Sequence, residues 1–315
     1  MAFRIRLIKD DTKINFMSFH KPAMALSVLM VVGAVFLLFT KGLNFGIDFT
    51  GGLLMEVKTT SAMQVEDVRG KLDNLTAGTP VIQEFGEDTF MIKIPGQEAD
   101  TATQKAMSAE VQAALGKDVE FRRVEYVGPQ VGKELIVTGI KAFVYSMIGI
   151  LLYIWMRYEW QFGVASLATL VHDVFATLLF FILTGMEFDL STVAAVLLVA
   201  GYSVNDTVIV FDRIREMLRK YRKKPLTEVI NLAINETLSR TMITSSTTLV
   251  VMIVLATLGG AVIQGFIYAM IVGILIGTFS SIYVSAPLLL YMGVRRDAVA
   301  ATDEDDASDA VVQKS

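Results

Sequence analysis

An asparagine–aspartate pair lies inside an otherwise apolar stretch, GYSVNDTVIVFDRIRE (201–216). Apolar residues also precede it at 190–200, so one long helix is predicted to carry Asn205 and Asp206 near one end. In a soluble core, the pair would need only hydrogen-bond partners. In a membrane, an ionisable side chain is costly and indicates a functional site. The chemistry of the pair therefore depends on which solvent surrounds this helix.

Other polar residues lie in neighbouring apolar stretches. His172 and Asp173 are near the middle of one (162–184), and Arg240 opens another, followed by Thr244 and Ser245. A carboxylate that gains and loses an arginine partner can load and release a proton. Asp206 and Arg240 are therefore candidates for proton or ion coupling, together with Asn205. Candidates for extending the path are Asp212, His172, Asp173, Thr244 and Ser245.

A structural interpretation of the same residues stays open. Small polar side chains such as Asn205 commonly hydrogen-bond between membrane helices, and Arg240 fits a cytoplasmic anchor. Gly273 and Gly277 have the GxxxG spacing of a helix contact. Sodium is also an alternative to the proton as the coupling ion.

The composition indicates a membrane protein. Of 315 residues, 53% are hydrophobic and 19% are charged, and the mean hydropathy is +0.54. Soluble domains carry more charge, roughly a quarter of residues. We predict a polytopic α-helical membrane protein with six transmembrane helices, each of about 20 apolar residues, at 23–40, 135–156, 162–184, 190–212, 240–258 and 265–292. The first is expected to be a retained anchor, because a long basic leader (1–22) precedes it.

Basic residues predict the orientation. Lys and Arg mark the leader and a connection at 213–239, whereas the connections 184–189 and 259–265 contain none. Since such residues concentrate on the cytoplasmic side, both termini are expected there, including the acidic and disordered tail 293–315. This topology explains the basic segment without a nucleic-acid partner.

Residues 41–134 are therefore expected outside the cytoplasm, in the periplasm. Strands are predicted at 53–59, 81–86, 89–95 and 119–127, and helices at 61–75 and 102–115. Capping boxes are expected at Ser61/Gln64 and Thr101/Gln104. The order β-α-β-β-α-β predicts a small ferredoxin-like α+β domain. The sequence has no cysteine, two histidines and no catalytic or phosphate-binding motif, so no enzyme, metal or cofactor is expected.

Three stretches resemble the SecD/SecF family of bacterial protein-export proteins. They are NFGIDFTGG (44–52), VGPQVGKEL (127–135), and GYSVNDTVIVFDRIRE with NETLSRT (235–241). The first contains the family signature, here Phe45, Gly46, Asp48, Phe49, Gly51 and Gly52. The resemblance is to the smaller, SecF-like members and covers nearly the whole chain.

The resemblance implies a function within the resistance-nodulation-division superfamily. Such a subunit pairs with SecD, cooperates with the SecYEG channel and YajC, and uses the proton motive force to move unfolded polypeptide across the inner membrane. Asp206 and Arg240 match family positions linked to proton flow, and SecD would supply a further carboxylate. Two alternatives are a half-transporter for lipids or small solutes and a passive scaffold.

Overall fold

The structure, a computed structural model, describes residues 12–59, 63–73, 80–84, 88–95, 101–116, 119–260 and 263–294. Most of these residues are helical, and a small α+β region lies between the first two long helices. Residues 1–11 of the leader and 295–315 of the acidic tail lie outside the described part, as does Ser61.

Six helices of the described part are long and apolar enough to cross a membrane, which confirms the predicted number. After a 3-10 turn at Phe16–Ser18, they are α1 His20–Thr40, α5 Pro129–Arg157, α6 Trp160–Thr184, α7 Leu190–Lys220, α8 Leu226–Leu258, and a last span in which α9 Gln264–Ser280 continues through a π-helical turn, Ser281–Ser285, into α10 Ala286–Tyr291. Pro129 occupies the first turn of α5, where a missing N–H costs little.

The predicted connection at 213–239 is shorter than expected and almost entirely helical. Helix α7 continues to Lys220 and α8 begins at Leu226, so only residues 221–225 separate them. Both extensions are amphipathic and bury apolar side chains against each other, among them Ile214, Met217, Val229 and Ile230. Arg213 forms an ion pair with Glu216 on its own helix and one with Glu236 on α8. Hydropathy marks only the apolar part of such a helix, so the predicted spans end before the helices do.

Helices α6, α7 and α9 form the centre of the bundle. About half of the most apolar stretch of each is buried, whereas the most apolar stretch of α5 has no buried residue and those of α1 and α8 have few. The predicted helix contact at Gly273 and Gly277 is present between α9 and α7. A Cβ atom on Gly273 would lie 2.1 Å from Cγ2 of Val199, and one on Gly277 would lie 3.2 Å from Cβ of Ser203.

The α+β region has the predicted order β-α-β-β-α-β. Its strands are β2 Gly52–Thr59, β3 Val81–Glu84, β4 Thr89–Pro95 and β5 Val119–Val127, and its helices are α3 Val65–Leu72 and α4 Thr101–Leu115. The strands form an antiparallel sheet in the order β3-β4-β2-β5, and both helices contribute to its apolar core. The ferredoxin-like classification stays a prediction.

Helix α3 is shorter than the predicted 61–75. Its capping box is formed by Gln64 and Asp67, one turn later than the predicted start, and the side chains of Thr101 and Gln104 are not described. Asp88, directly before β4, has a φ of 55°, in the left-handed region that aspartate tolerates.

Candidate functional site: polar groups inside the bundle

Asp206 is fully buried on α7. Within the described residues, neither of its carboxylate oxygens has a hydrogen-bond partner. Three hydroxyls on α7 and α8 are likewise buried without a partner: those of Tyr202, Thr207 and Thr241. Buried polar atoms are normally hydrogen-bonded, so these two helices carry a concentration of unsatisfied polar groups.

Arg240 lies near the middle of α8 and is exposed. Its charge acts on Asp206 electrostatically, but none of the ion pairs found among the described residues joins the two. Because the side chain of arginine is long and flexible, a pair that is separated in this conformation can close in another.

Asn205 and Asp206 do not form a unit. Neighbouring residues on a helix point about 100° apart, and Asn205 is exposed where Asp206 is buried. Two further predicted residues make local or structural contacts. Thr244 donates to the carbonyl of Arg240 at 2.9 Å, and Ser245 lies 2.7 Å from Oγ1 of Thr278 on α9.

Asp212 is exposed near the end of the apolar part of α7 and accepts a hydrogen bond of 2.6 Å from the phenol of Tyr158. Tyr158 lies between α5 and α6 and is 5% exposed. Burial, followed by the hydrogen bond to Asp212 and the charge of that residue, raises the pKa of Tyr158 well above its usual range. The phenol therefore stays a donor at physiological pH.

His172 and Asp173 lie in the centre of the bundle. Nδ1 of His172 is 2.8 Å from Oδ1 of Asp173. Oδ2 of Asp173 accepts hydrogen bonds from Ser203 on α7 and from Ser280 on α9, the latter at 2.9 Å. The two serines were missed by sequence reasoning. Ser203 precedes Asp206 by about one helical turn and lies on the same face of α7. Asp173, which binds Ser203, therefore faces the same side of α7 as Asp206 but does not hydrogen-bond to it.

The signature segment forms the joint between bundle and α+β region. Strand β1 Asn44–Phe45 pairs in parallel with β6 Glu187–Phe188, and the turn α2 Ile47–Thr50 follows. Asp48 accepts a hydrogen bond of 3.0 Å from the backbone N–H of Leu190, the first residue of α7. The ring of Phe49 stacks on Phe188 and meets Phe45 edge-on. The signature therefore holds the start of the helix that carries Asp206.

Glycines make this joint compact. The amide of Gly46 donates to the carbonyl of Phe188 at 3.0 Å, and Gly51 has a φ of 77°, which favours glycine. The second junction stretch contacts the first directly, because a Cβ atom on Gly132 would lie 2.4 Å from the carbonyl oxygen of Phe49.

Comparisons with known proteins agree with this geometry. The family described as "Protein export membrane protein SecD/SecF, C-terminal" matches residues 107–295, and the "SecD/SecF GG Motif" matches residues 36–63. The chain belongs to the SecD/SecF family. Its signature turn and the polar helices therefore lie in the two segments by which this family is recognised.

Curated relatives carry the name "Protein translocase subunit SecF". That of Rickettsia felis is 41% identical over 93% of this chain and 96% of its own length. Those of Cereibacter sphaeroides and Vibrio alginolyticus are each 42% identical, over 94% and 93% of this chain and 94% of their own lengths.

Solved structures of SecDF have the same fold. This chain superimposes on SecDF of Thermus thermophilus with a TM-score of 0.78 and 35% identity, over 92% of this chain. A second SecDF structure, in a super-membrane-facing form, gives a TM-score of 0.71 and 34% identity over 99% of this chain. The chain spans about 40% of these longer proteins.

Family membership confirms several predictions. A SecD/SecF protein is a multi-pass membrane protein of protein export and not an enzyme. The SecDF neighbours support SecD as the partner. The alternative of a half-transporter for lipids or solutes loses its support.

Proposed function

We propose that this chain is the proton-coupling SecF subunit of an inner-membrane export complex, with both termini in the cytoplasm. With SecD and the SecYEG channel, and in association with YajC, it uses the proton motive force to draw polypeptide outward. The observation that carries this proposal is Asp206, a fully buried carboxylate without a hydrogen-bond partner among the described residues.

The carboxylate of Asp206 is costly to keep charged inside a membrane. A charged aspartate near the centre of a membrane helix costs about 3 kcal/mol on insertion scales. Protonation removes the charge, and an approaching guanidinium compensates it. Asp206 therefore alternates between two favourable states, a neutral carboxylic acid and a carboxylate beside Arg240, which is the behaviour that coupling requires.

The position of Asp206 connects this alternation to movement. Helix α7 begins at the signature joint, where Asp48 holds its first residue. A shift of α7 on proton loading would thus reach β1, β6 and the α+β region, which supports coupling between the membrane site and the external domain.

The test is export of a reporter preprotein in cells with Asp206→Asn, which is nearly isosteric and cannot ionise. Glu216→Gln, an exposed carboxylate-to-amide change on the same helix, is the matched control, and co-purification with SecD verifies assembly. We expect export to lose its dependence on the proton motive force only in Asp206→Asn. Normal, gradient-dependent export by an assembled Asp206→Asn complex would refute the proposal.

A further inference from the structure

The first half of α8 binds the backbone of the leader just before α1. Oδ1 of Asn235 accepts a hydrogen bond of 2.8 Å from the N–H of Ile14, and Nδ2 of the same amide donates one of 2.8 Å to the carbonyl of Ile14. One turn earlier, Oδ1 of Asn231 accepts a hydrogen bond of 3.0 Å from the N–H of Met17. We call Asn231, Asn235 and residues 14–17 the amide clamp.

The oxygen and both N–H groups of the Asn235 amide are bonded in this clamp. Besides its two bonds to the leader, Nδ2 donates to the carbonyl of Asn231 at 2.7 Å, so each of the three groups has a partner. An amide bonded at three points has a single orientation. Next to it, Phe16 and Met17 are buried in an apolar cluster with side chains of α7, α8 and the last span. The leader is therefore attached to α8 by polar and apolar contacts together.

The leader is itself fixed to other spans. The ring of Phe16 meets that of Tyr283 in the last span edge-on, with 6.1 Å between the ring centroids. Nδ1 of His20, the first residue of α1, donates a hydrogen bond to the carbonyl of Met17. The ring centroid of His20 lies 5.7 Å from that of Tyr291, at the end of the last span. The clamp therefore ties α8 to α1 and to the last span.

The clamp lies in the part of α8 that is packed, and just before Arg240. All buried residues of α8 lie within 229–245, so packing positions this helix through its first half. Arg240 follows Asn235 by five residues, about 7.5 Å along the helix. On another face of α8, Glu236 pairs with Arg213 of α7. The clamp and this ion pair thus hold α8 from two sides in the turns that lead to Arg240.

We propose that Asn231 and Asn235 are positioning residues for Arg240. A charged group acts in a defined place only when the element that carries it is held by packing and hydrogen bonds. With the clamp closed, the guanidinium of Arg240 starts from a fixed point and reaches Asp206 by changes of its own rotamers. Without the clamp, α8 can turn or slide, and that starting point is lost. This inference rests on the proposed function, because it concerns the arginine partner of Asp206.

Disulfide formation beyond Arg240 measures the position of α8. Oγ of Ser245 and Oγ1 of Thr278 on α9 lie 2.7 Å apart, so Ser245→Cys/Thr278→Cys places two thiols close to bonding distance in a chain without cysteine. The rate of their oxidation in membranes, in the complex with SecD, is compared with the clamp intact and with Asn231→Leu/Asn235→Leu. Leucine is close to asparagine in shape and cannot form these hydrogen bonds. We expect the rate to fall severalfold when the clamp is removed, and an equal rate would overturn the inference.

A change within the leader is the matched control. Oγ of Ser18 donates to the carbonyl of Asn15 at 2.7 Å, and among the described residues its side chain has no hydrogen bond to α8. Ser18→Ala therefore removes a hydrogen bond of the leader and leaves the clamp intact. With the same two cysteines, Ser18→Ala should keep the oxidation rate of the intact clamp. A rate as slow as that of the leucine variant would assign the effect to the leader in general and overturn the role of the two amides.

Export tests whether this position matters for coupling. Nδ2 of Asn231 donates to Oδ1 of Asn15 at 2.8 Å, so Asn15→Cys/Asn231→Cys opens one half of the clamp, and a short bifunctional thiol reagent closes it again. We expect the assembled complex to lose stimulation of export by the proton gradient when unbridged and to regain it when bridged. Each single-cysteine variant should not respond to the reagent. Full stimulation without the bridge, or no recovery after bridging, would overturn the inference.

The two proposals fail differently. If Asp206→Asn abolishes coupling while Asn231→Leu/Asn235→Leu keeps both the oxidation rate and gradient-dependent export, the positioning role is wrong and the proposed function stands. If Asp206→Asn exports normally, the proposed function itself fails, and the oxidation rate still decides whether the clamp sets the position of α8.

Discussion

Asp206 lies on a helix with other buried polar groups, and these groups do not hydrogen-bond to each other. Its two oxygens and the hydroxyls of Tyr202, Thr207 and Thr241 are buried, and none has a partner in the described residues. An uncompensated buried charge costs several kcal/mol. Groups from outside this chain, either water or residues of SecD, would reduce that cost. We therefore interpret the site as one half of a larger one that the complex completes.

The carboxylate of Asp212 is predicted to have a structural role, as the acceptor of a hydrogen bond from Tyr158. Replacing Tyr158 with phenylalanine removes the 2.6 Å hydrogen bond to Asp212, which should lower the free energy of unfolding by about 1 kcal/mol. Thermal unfolding of the purified complex should shift down by about 2 °C, with export unchanged.

The pH dependence of this effect has a definite sign. The pKa of Tyr158 is raised in the folded protein. The phenol therefore contributes fully to the free energy of unfolding below its unfolded pKa of about 10, and this contribution is lost only as pH rises through the higher folded pKa. The difference in free energy of unfolding between the wild type and Tyr158→Phe should thus be the same at about pH 6 and about pH 8. A difference that vanishes within this range would contradict the assignment.

At the residue scale, the sequence identified the ionisable groups but not their contacts. Asp206, His172 and Asp173 stand out because charge is rare in apolar stretches. Their partners could not be inferred, since Ser203 and Ser280 come from different helices and serine is common in membrane spans. The helical period alone would have separated Asn205 from Asp206.

At the scale of elements, glycine sets the distance between α7 and α9. With a Cβ atom 2.1 Å from Val199, residue 273 has no room for a side chain. Close approach through small residues drives helix association in membranes, where the hydrophobic effect between helices is absent. The polar residues of α7 are therefore held close to α9.

Alanine substitution measures this packing. Gly273→Ala should lower stability by about 1–3 kcal/mol, the usual cost of overpacking. Gly201→Ala is the control, because its Cβ would meet nothing within 4 Å. Adding Val199→Ala to Gly273→Ala should restore part of the loss. These differences are measured by thermal unfolding of the wild type, the two glycine variants and the double variant. Equal stability of Gly273→Ala and Gly201→Ala would contradict the packing between α7 and α9.

Some elements were predictable and others were not. Hydropathy located all six spans because an apolar run of about 20 residues is typical of a membrane-spanning helix. It missed the amphipathic ends of α7 and α8, and the pairing of β1 with β6. That pairing joins two residues to two others far along the chain, and such short parallel contacts leave no periodic pattern.

At the scale of the whole molecule, the α+β region is tied to the bundle by a charge pair and the signature joint. Nζ of Lys93 on β4 lies 2.6 Å from a carboxylate oxygen of Glu187 on β6, and both side chains are less than one-fifth exposed. Both residues line a cavity of about 490 Å³ between the two parts. Because this ion pair borders a cavity, it can break and re-form as the α+β region moves relative to the bundle.

A crosslink tests whether the joint moves during export. In a chain without native cysteine, Lys93→Cys and Glu187→Cys are combined and bridged by a short bifunctional thiol reagent with a cleavable disulfide. We expect export to stop on crosslinking and to recover on reduction, with each single variant insensitive to the reagent. Undiminished export by the crosslinked complex would show that this joint stays closed throughout the cycle.

The central claim, that Asp206 carries protons for export, is tested most directly by proton flux. Vesicles containing this chain with SecD and a pH-sensitive dye are exposed to a proton gradient, and the wild type, Asp206→Asn and Glu216→Gln are compared. We predict a flux for the wild type and Glu216→Gln, and only the background of complex-free vesicles for Asp206→Asn. An unchanged flux in an assembled Asp206→Asn complex would contradict the claim.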